Sequence, residues 1–388
     1  MRRGAALLAA VVIVGTVLLV LLLAMDRGTP PAERGVSVAE ALGGSSPEGF
    51  LRASTPRRFS FPADHGPHPG FRTEWWYFTG NLATAGGRRF GYQLTFFRVA
   101  LSPSPVKRPS RWGASDIIMA HFALTDVEGR QFHHAERFSR SALGLAGAGG
   151  RPLTVWLEDW SAAETGDNPW RMRLTARDEG VAVDLTVSAA RPAVLNGAEG
   201  LSRKSGEPGN ASYYYSLTRM ETVGTVTAGG ETVAVTGLSW LDREWSTSAL
   251  GADQAGWDWF ALQLDDGRDV MFYRLRRRDG GTEPWSSGTL VAADGTYRPL
   301  SRDEVRIQAL DWWQSPASGI RYPSRWRLVI PSEHLDLELF PRIPHQELLV
   351  TVRYWEGAVQ VKSRSPGGPS GVGYLEMTGY GEKVVSAN

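Results

Sequence analysis

From Arg72 onward, short apolar runs alternate with turns rich in Gly, Pro, Asp and Ser, and the spacing of an amphipathic helix is almost absent. Val181, Val183, Leu185 and Val187 interleave with Ala182, Asp184, Thr186 and Ser188, a period of two that predicts a strand buried on one face and wetted on the other. Residues 75–82 and 90–99 flank the turn Thr84-Ala-Gly-Gly87 and predict a hairpin; residues 257–264 close through Asp265-Asp-Gly267 and predict a second. Runs at 117–125, 154–160, 172–176, 223–227, 233–240, 326–330, 335–340, 348–354 and 359–362 complete an all-β pattern. Many short meandering strands favour a barrel or sandwich, and a barrel leaves no exposed edge.

The pattern is written twice. Gly237-Leu-Ser-Trp-Leu-Asp242 and Gly371-Val-Gly-Tyr-Leu-Glu376 share Gly, any, small, aromatic, Leu, carboxylate, and each copy opens on a hairpin: residues 76–82 and 89–98 against 259–264 and 270–276. Two copies of this length imply duplication of a domain. We expect one over 60–250 and the other over 251–384.

Ahead of them, Arg2 and Arg3 precede an uncharged apolar run over 4–25, which at 1.5 Å per residue reaches roughly 33 Å, enough to cross a bilayer core. Residues 1–25 are expected to be a signal or anchor helix and 26–59 a linker, so that the body is secreted or tethered on the outer side of a membrane. Balanced charge, 42 basic against 41 acidic residues, gives no steering toward nucleic acid. The absence of Cys excludes disulfides, thiol nucleophiles and Cys-ligated metals. Fifteen Trp, 14 Phe and 11 Tyr point instead to aromatic cores and apolar pockets.

Signatures of P-loops, dinucleotide folds, zinc proteases and nucleophile elbows are missing. No metal site and no cofactor are expected. Among the seven histidines His121, inside a predicted strand, is the most pocket-like. The densest chemistry closes the first copy: Ser212-Tyr-Tyr-Tyr-Ser216, Arg219 and Trp240-Leu-Asp-Arg-Glu-Trp245. Period two puts Trp240 and Asp242 on one face, where burial beside an indole would raise the carboxyl pKa and suit it to general-acid work, unless Arg219 or Arg243 offsets it. Tyr213 and Tyr215 share a face and are candidates to relay a proton, with Tyr214 opposite. A structural pair between Asp242 and an Arg is the alternative. Trp76, Trp240, Trp257 and Trp259 are candidates to line a pocket, with His121 and Glu74; a Glu74–Arg98 pair across the hairpin is the structural reading of the last.

The run Thr73-Glu-Trp-Trp-Tyr-Phe-Thr-Gly-Asn-Leu82, with residues 212–219, 237–245, 256–260, 354–358 and 373–380, resembles the AttH-like and carotenoid 1,2-hydratase family across essentially 60–384. The resemblance implies two tandem lipocalin-like barrels. In the carotenoid hydratases the segment matching 212–216 carries His-x-Trp and that matching 240–242 carries Tyr-x-Asp. Here they read Tyr213-x-Tyr215 and Trp240-x-Asp242, so the aspartate is kept and the other three are replaced. Two functions are compatible with this: cofactor-free, acid-catalysed hydration of an isoprenoid C=C, with Asp242 as acid and Tyr213, Tyr215 and Arg219 setting its proton state; or non-catalytic carriage of an isoprenoid or lipid for an ABC transporter permease.

Overall fold

A computed structural model describes residues 48–381, apart from 105–109, 111, 167, 249 and 252. The apolar run at 4–25 lies outside these residues. Among the described residues no helix is long and apolar enough to cross a membrane.

Two antiparallel sheets account for nearly all of the regular structure. The first follows the spatial order Gln131–Arg140, Asp116–Asp126, Arg89–Ala100, Thr73–Ala83, Glu231–Ser246, Ala211–Ala228, Val181–Ala189, Asn168–Asp178, Trp160–Thr165, Leu153–Leu157, Ala146–Gly150. It curls until its two outer strands approach each other. The second runs Tyr297–Ser301, Ser287–Val291, Asp269–Arg277, Gln254–Leu264, Gly371–Thr378, Arg353–Ser363, Leu335–Pro341, Arg321–Ile330, Arg306–Gln314. Trp76, Phe78, Phe122, Leu174, Tyr215 and Leu241 fill the first barrel, and Phe260, Leu262, Trp326, Leu337, Trp355 and Leu375 the second. The stretch from Leu51, expected as linker, is docked on the first barrel: Ala53 is buried, Phe59 packs against its core, and Tyr213 donates to the Thr55 carbonyl at 2.8 Å.

Strand register fixes how the copies correspond. Tyr77 pairs with Asp242 and Trp259 with Glu376, so Tyr77, not Trp76, is the counterpart of Trp259. The segments 76–82 and 259–264 therefore correspond through their ends at Leu82 and Leu264 and not through their leading tryptophans, a difference of one residue that in a strand reverses the face. On the correct register Trp75 matches Trp257, Trp240 matches Tyr374, Tyr214 matches Tyr354 and Ser216 matches Glu356. The leading glycine of each repeat has one purpose: a Cβ on Gly237 would stand 2.1 Å from the Asn81 carbonyl oxygen, and one on Gly371 2.2 Å from that of Gln263. Side chains at those positions would push the closing strand off its neighbour.

The barrels meet through the outer faces of these same strands. Asn81 Nδ2 donates to the Gly373 carbonyl at 3.0 Å, and its counterpart Gln263 Nε2 donates to the Ser239 carbonyl, the counterpart of Gly373, also at 3.0 Å. The contact is therefore pseudo-two-fold. At its edge Arg219 and Arg191 of the first barrel clamp the fully buried Asp269 of the second, at 2.5 and 3.0 Å.

Candidate active site

A partly open cleft lies between the barrels. It is walled by Trp75, Tyr77, Phe97, Tyr214, Asp242 and Glu244 from one copy and by Trp257, Trp259, Tyr273, Tyr354, Glu356 and Glu376 from the other. Because Trp76, Phe78, Leu241 and Tyr215 point into the barrel, their strand neighbours Trp75, Tyr77, Asp242 and Tyr214 point out into the cleft. The ring of Tyr77 meets that of Trp259 edge-on at 5.2 Å, and Trp240 meets Trp259 at 6.4 Å. Lys204 sits against Tyr273, 4.4 Å from its ring centre, and pairs with Glu244 at 3.0 Å.

Asp242 anchors one wall. Its Oδ1 accepts from Ser216 Oγ and Trp240 Nε1, both at 2.6 Å, and its Oδ2 accepts from the Tyr214 hydroxyl. The polarity of these bonds is set from behind. Thr289 donates to Asn196 Oδ1 at 2.8 Å, Asn196 Nδ2 donates to Ser216 Oγ at 2.8 Å, and Ser216 has its own proton left for Asp242. Trp259 Nε1 likewise donates to the Tyr214 oxygen at 3.2 Å and turns the phenol proton toward Asp242. Burial pushes the carboxyl up, the three donors pull it down, and the result is about 7.

Glu356 and Glu376 stand side by side on the facing wall as cross-strand neighbours. Burial raises Glu376 to about 8, with only Trp257 Nε1 donating to it, at 3.2 Å, and with Asp242 and Glu244 adding repulsion. Glu356 is wholly buried and is driven well above the carboxylate range by burial and by Glu376, although Tyr77 donates to its Oε1; its Oε2 has no partner. Two adjacent carboxyls out of water hold a proton at neutral pH.

The residues singled out from sequence part company here. Asp242, Trp240, Trp257 and Trp259 come together around the cleft. Tyr213 and Tyr215 do not: both point into the first barrel, where Tyr215 bonds His65 at 2.6 Å, and the phenol that reaches Asp242 is Tyr214 on the opposite face. Arg219 serves Asp269 at the barrel contact rather than Asp242. Trp76 lies inside the barrel under the Arg243 guanidinium, 3.9 Å from its ring centre, and Trp75 takes the cleft position. Glu74 is buried beside it and accepts from Arg98 and Arg243; burial alone would raise it, but the two guanidiniums hold it well below the usual carboxylate range. His121 stands one layer back, behind Tyr354. Among the described residues no group of three or more His, Asp or Glu is placed to hold a metal ion.

Two tandem lipocalin-like barrels sharing an acid-lined aromatic cleft define the class of this molecule. The model of the AttH-like family matches residues 52–380, and the chain belongs to that family. A candidate AttH of Nitrosomonas europaea superposes with a TM-score of 0.77 at 33% identity, covering 85% of this chain and 100% of that one. Kievitone hydratase from Nectria haematococca superposes at 0.62 with 18% identity over 87% of this chain and 98% of its own. CghA with Sch210972 superposes at 0.51 with 13% identity over 87% and 96%. The last two similarities are of fold alone. No curated protein matches the chain.

Proposed function

We propose that the cleft is an acid–base site that adds water to a carbon–carbon double bond of an apolar, isoprenoid-like substrate, with Asp242 as the proton donor. The observation that carries this reading is a buried carboxyl on the wall of an aromatic cleft with three donors aimed at it, which burial pushes up to about 7. Burial keeps a proton on Asp242 before reaction, and the three donors stabilise the carboxylate that remains afterwards. The alkene π pair takes that proton to form a C–H bond. The faces of Tyr77, Trp257 and Trp259 stabilise the cation left on the neighbouring carbon, a water oxygen bonds to it, and the surplus proton of that water passes to a carboxylate of the facing wall. Kievitone hydratase, on the same fold, is by name an enzyme of water addition. Attachment to the outer side of a membrane through residues 4–25 is part of the proposal.

The test is turnover of an acyclic isoprenoid followed by mass spectrometry for the gain of one water. Asp242→Asn should retain the ligand and lose turnover; unchanged turnover sinks the acid assignment. Binding of the isoprenoid with no turnover in the unmodified protein would establish a carrier instead.

A further inference from the structure

A line of hydrogen-bonding groups runs from the surface of the first barrel into the wall of the second. Glu136 is partly exposed; its Oε1 lies 3.0 Å from His121 Nε2, and its Oε2 accepts from Thr351 Oγ1 at 2.6 Å. His121 Nδ1 lies 2.7 Å from the Tyr354 hydroxyl. Gln93 Nε2 donates to that hydroxyl at 3.3 Å, which leaves the phenol proton free to point at His121 or toward Glu356, two residues along on the same strand face and lining the same cleft, whose Oε2 is buried without a hydrogen-bond partner. His121 is almost completely buried behind Tyr354, and Glu356, equally buried, faces the cleft on the other side of that phenol. A histidine with one nitrogen on an acid and the other on a phenol changes tautomer by taking a proton at one end and releasing it at the other.

We propose that Glu136, His121 and Tyr354 form a proton path between the surface and Glu356, and that Glu356 with Glu376 is the second proton-exchanging group of the cleft. The proposal rests on the hydration reading and deepens it: the pair takes up the proton that the adding water loses, and the path clears it. Glu356 gives its proton to the Tyr354 oxygen as the phenol passes its own to Nδ1 of neutral His121. The imidazolium releases its Nε2 proton to Glu136, and Glu136 releases one to water. Each group gains one proton and loses one, and no electrons are exchanged with a partner. His121 and Tyr354 are positioning residues in this scheme, acting on substrate only through Glu356.

The experiment is infrared spectroscopy of the carboxylic-acid C=O stretch after rapid mixing of the whole protein into D2O at neutral pH, the Glu356 band being assigned by its loss in Glu356→Gln. Tyr354→Phe and His121→Gln should each slow deuteration of that band by on the order of tenfold or more. The proposal is overturned if neither variant slows exchange, which would put entry through the cleft mouth, or if the unmodified protein has no Glu356 acid band. Should His121→Gln fail to fold, Tyr354→Phe, which removes a single oxygen, decides the outcome. The measurement needs no turnover, so a failed path and a failed hydratase assignment give different results.

Discussion

The two walls of the cleft are built from equivalent strands, yet they hold their acids in opposite ways. Around Asp242 the equivalent positions supply donors: Tyr214, Ser216 and Trp240 all reach it. Around Glu376 the same positions are Tyr354, which turns away to His121; Glu356, a second acid; and Tyr374, whose hydroxyl has no partner. One wall therefore presents a single carboxyl solvated by protein groups, and the other a pair of carboxyls that repel. Position in the fold sets where an acid stands, and three neighbouring side chains set its affinity for a proton.

That contrast can be broken from either side. The largest effect is expected from Asp242→Asn, with a loss of hydration rate on the order of 10²–10⁴-fold and little change in ligand affinity; Glu376→Gln should cost far less, and equal losses measured as kcat would erase the distinction between the walls. Next is a contrast inside the barrels. Arg243, wholly buried against Glu74, corresponds to Met377 in the second copy. Arg243→Met leaves the buried Glu74 charge with Arg98 and the His68 backbone N–H but without its second guanidinium, and should destabilise by about 3–5 kcal/mol in urea unfolding, with partial recovery in the Glu74→Gln, Arg243→Met double variant.

Stability should also depend on pH. Asp242 and Glu376 bind protons more tightly folded than unfolded, from ordinary values near 4 up to about 7 and about 8. Between these limits the native state holds more protons than the unfolded chain, so their contribution falls as pH rises, by up to about 1.4 kcal/mol per unit for each group, and is level above about 8. Melting of Asp242→Asn across pH 4 to 8 should show a shallower decline than the unmodified protein; a parallel curve would refute the assignment. The smallest expected effect is that of Tyr214→Phe, which removes one of three donors at a cost of about 0.5–1.5 kcal/mol and, by raising the Asp242 carboxyl further, shifts the alkaline limb of the rate profile upward.

The all-β class, the duplication and the hairpin at Asp265–Gly267 were legible because turns and strand periodicity are local. Asp242 was legible too, since its face follows from Trp240 two residues away. The location of the site was not. A strand buried on one side alternates, but Trp75-Trp76-Tyr77-Phe78 and Ser212-Tyr213-Tyr214-Tyr215 do not, because one face fills a barrel and the other fills the contact between barrels. That unbroken aromatic run was itself the signal of a second buried face, and it would have favoured Trp75, Tyr77 and Tyr214 as cleft candidates. His121 was named, but its link to Glu356 was beyond reach for another reason: the two lie 235 residues apart in sequence and are bridged by Tyr354 only once the barrels are docked.

The reciprocal bonds from Asn81 and Gln263 have the form of an isologous interface, in which the same patch on two subunits binds itself about a two-fold axis. The chain thus carries the contact of a homodimer within one polypeptide. In a dimer of identical subunits every substitution is made on both sides at once, and Ser216 could not face Glu356. Fusion removes that constraint, which is how a symmetric seam can carry an asymmetric pair of acids.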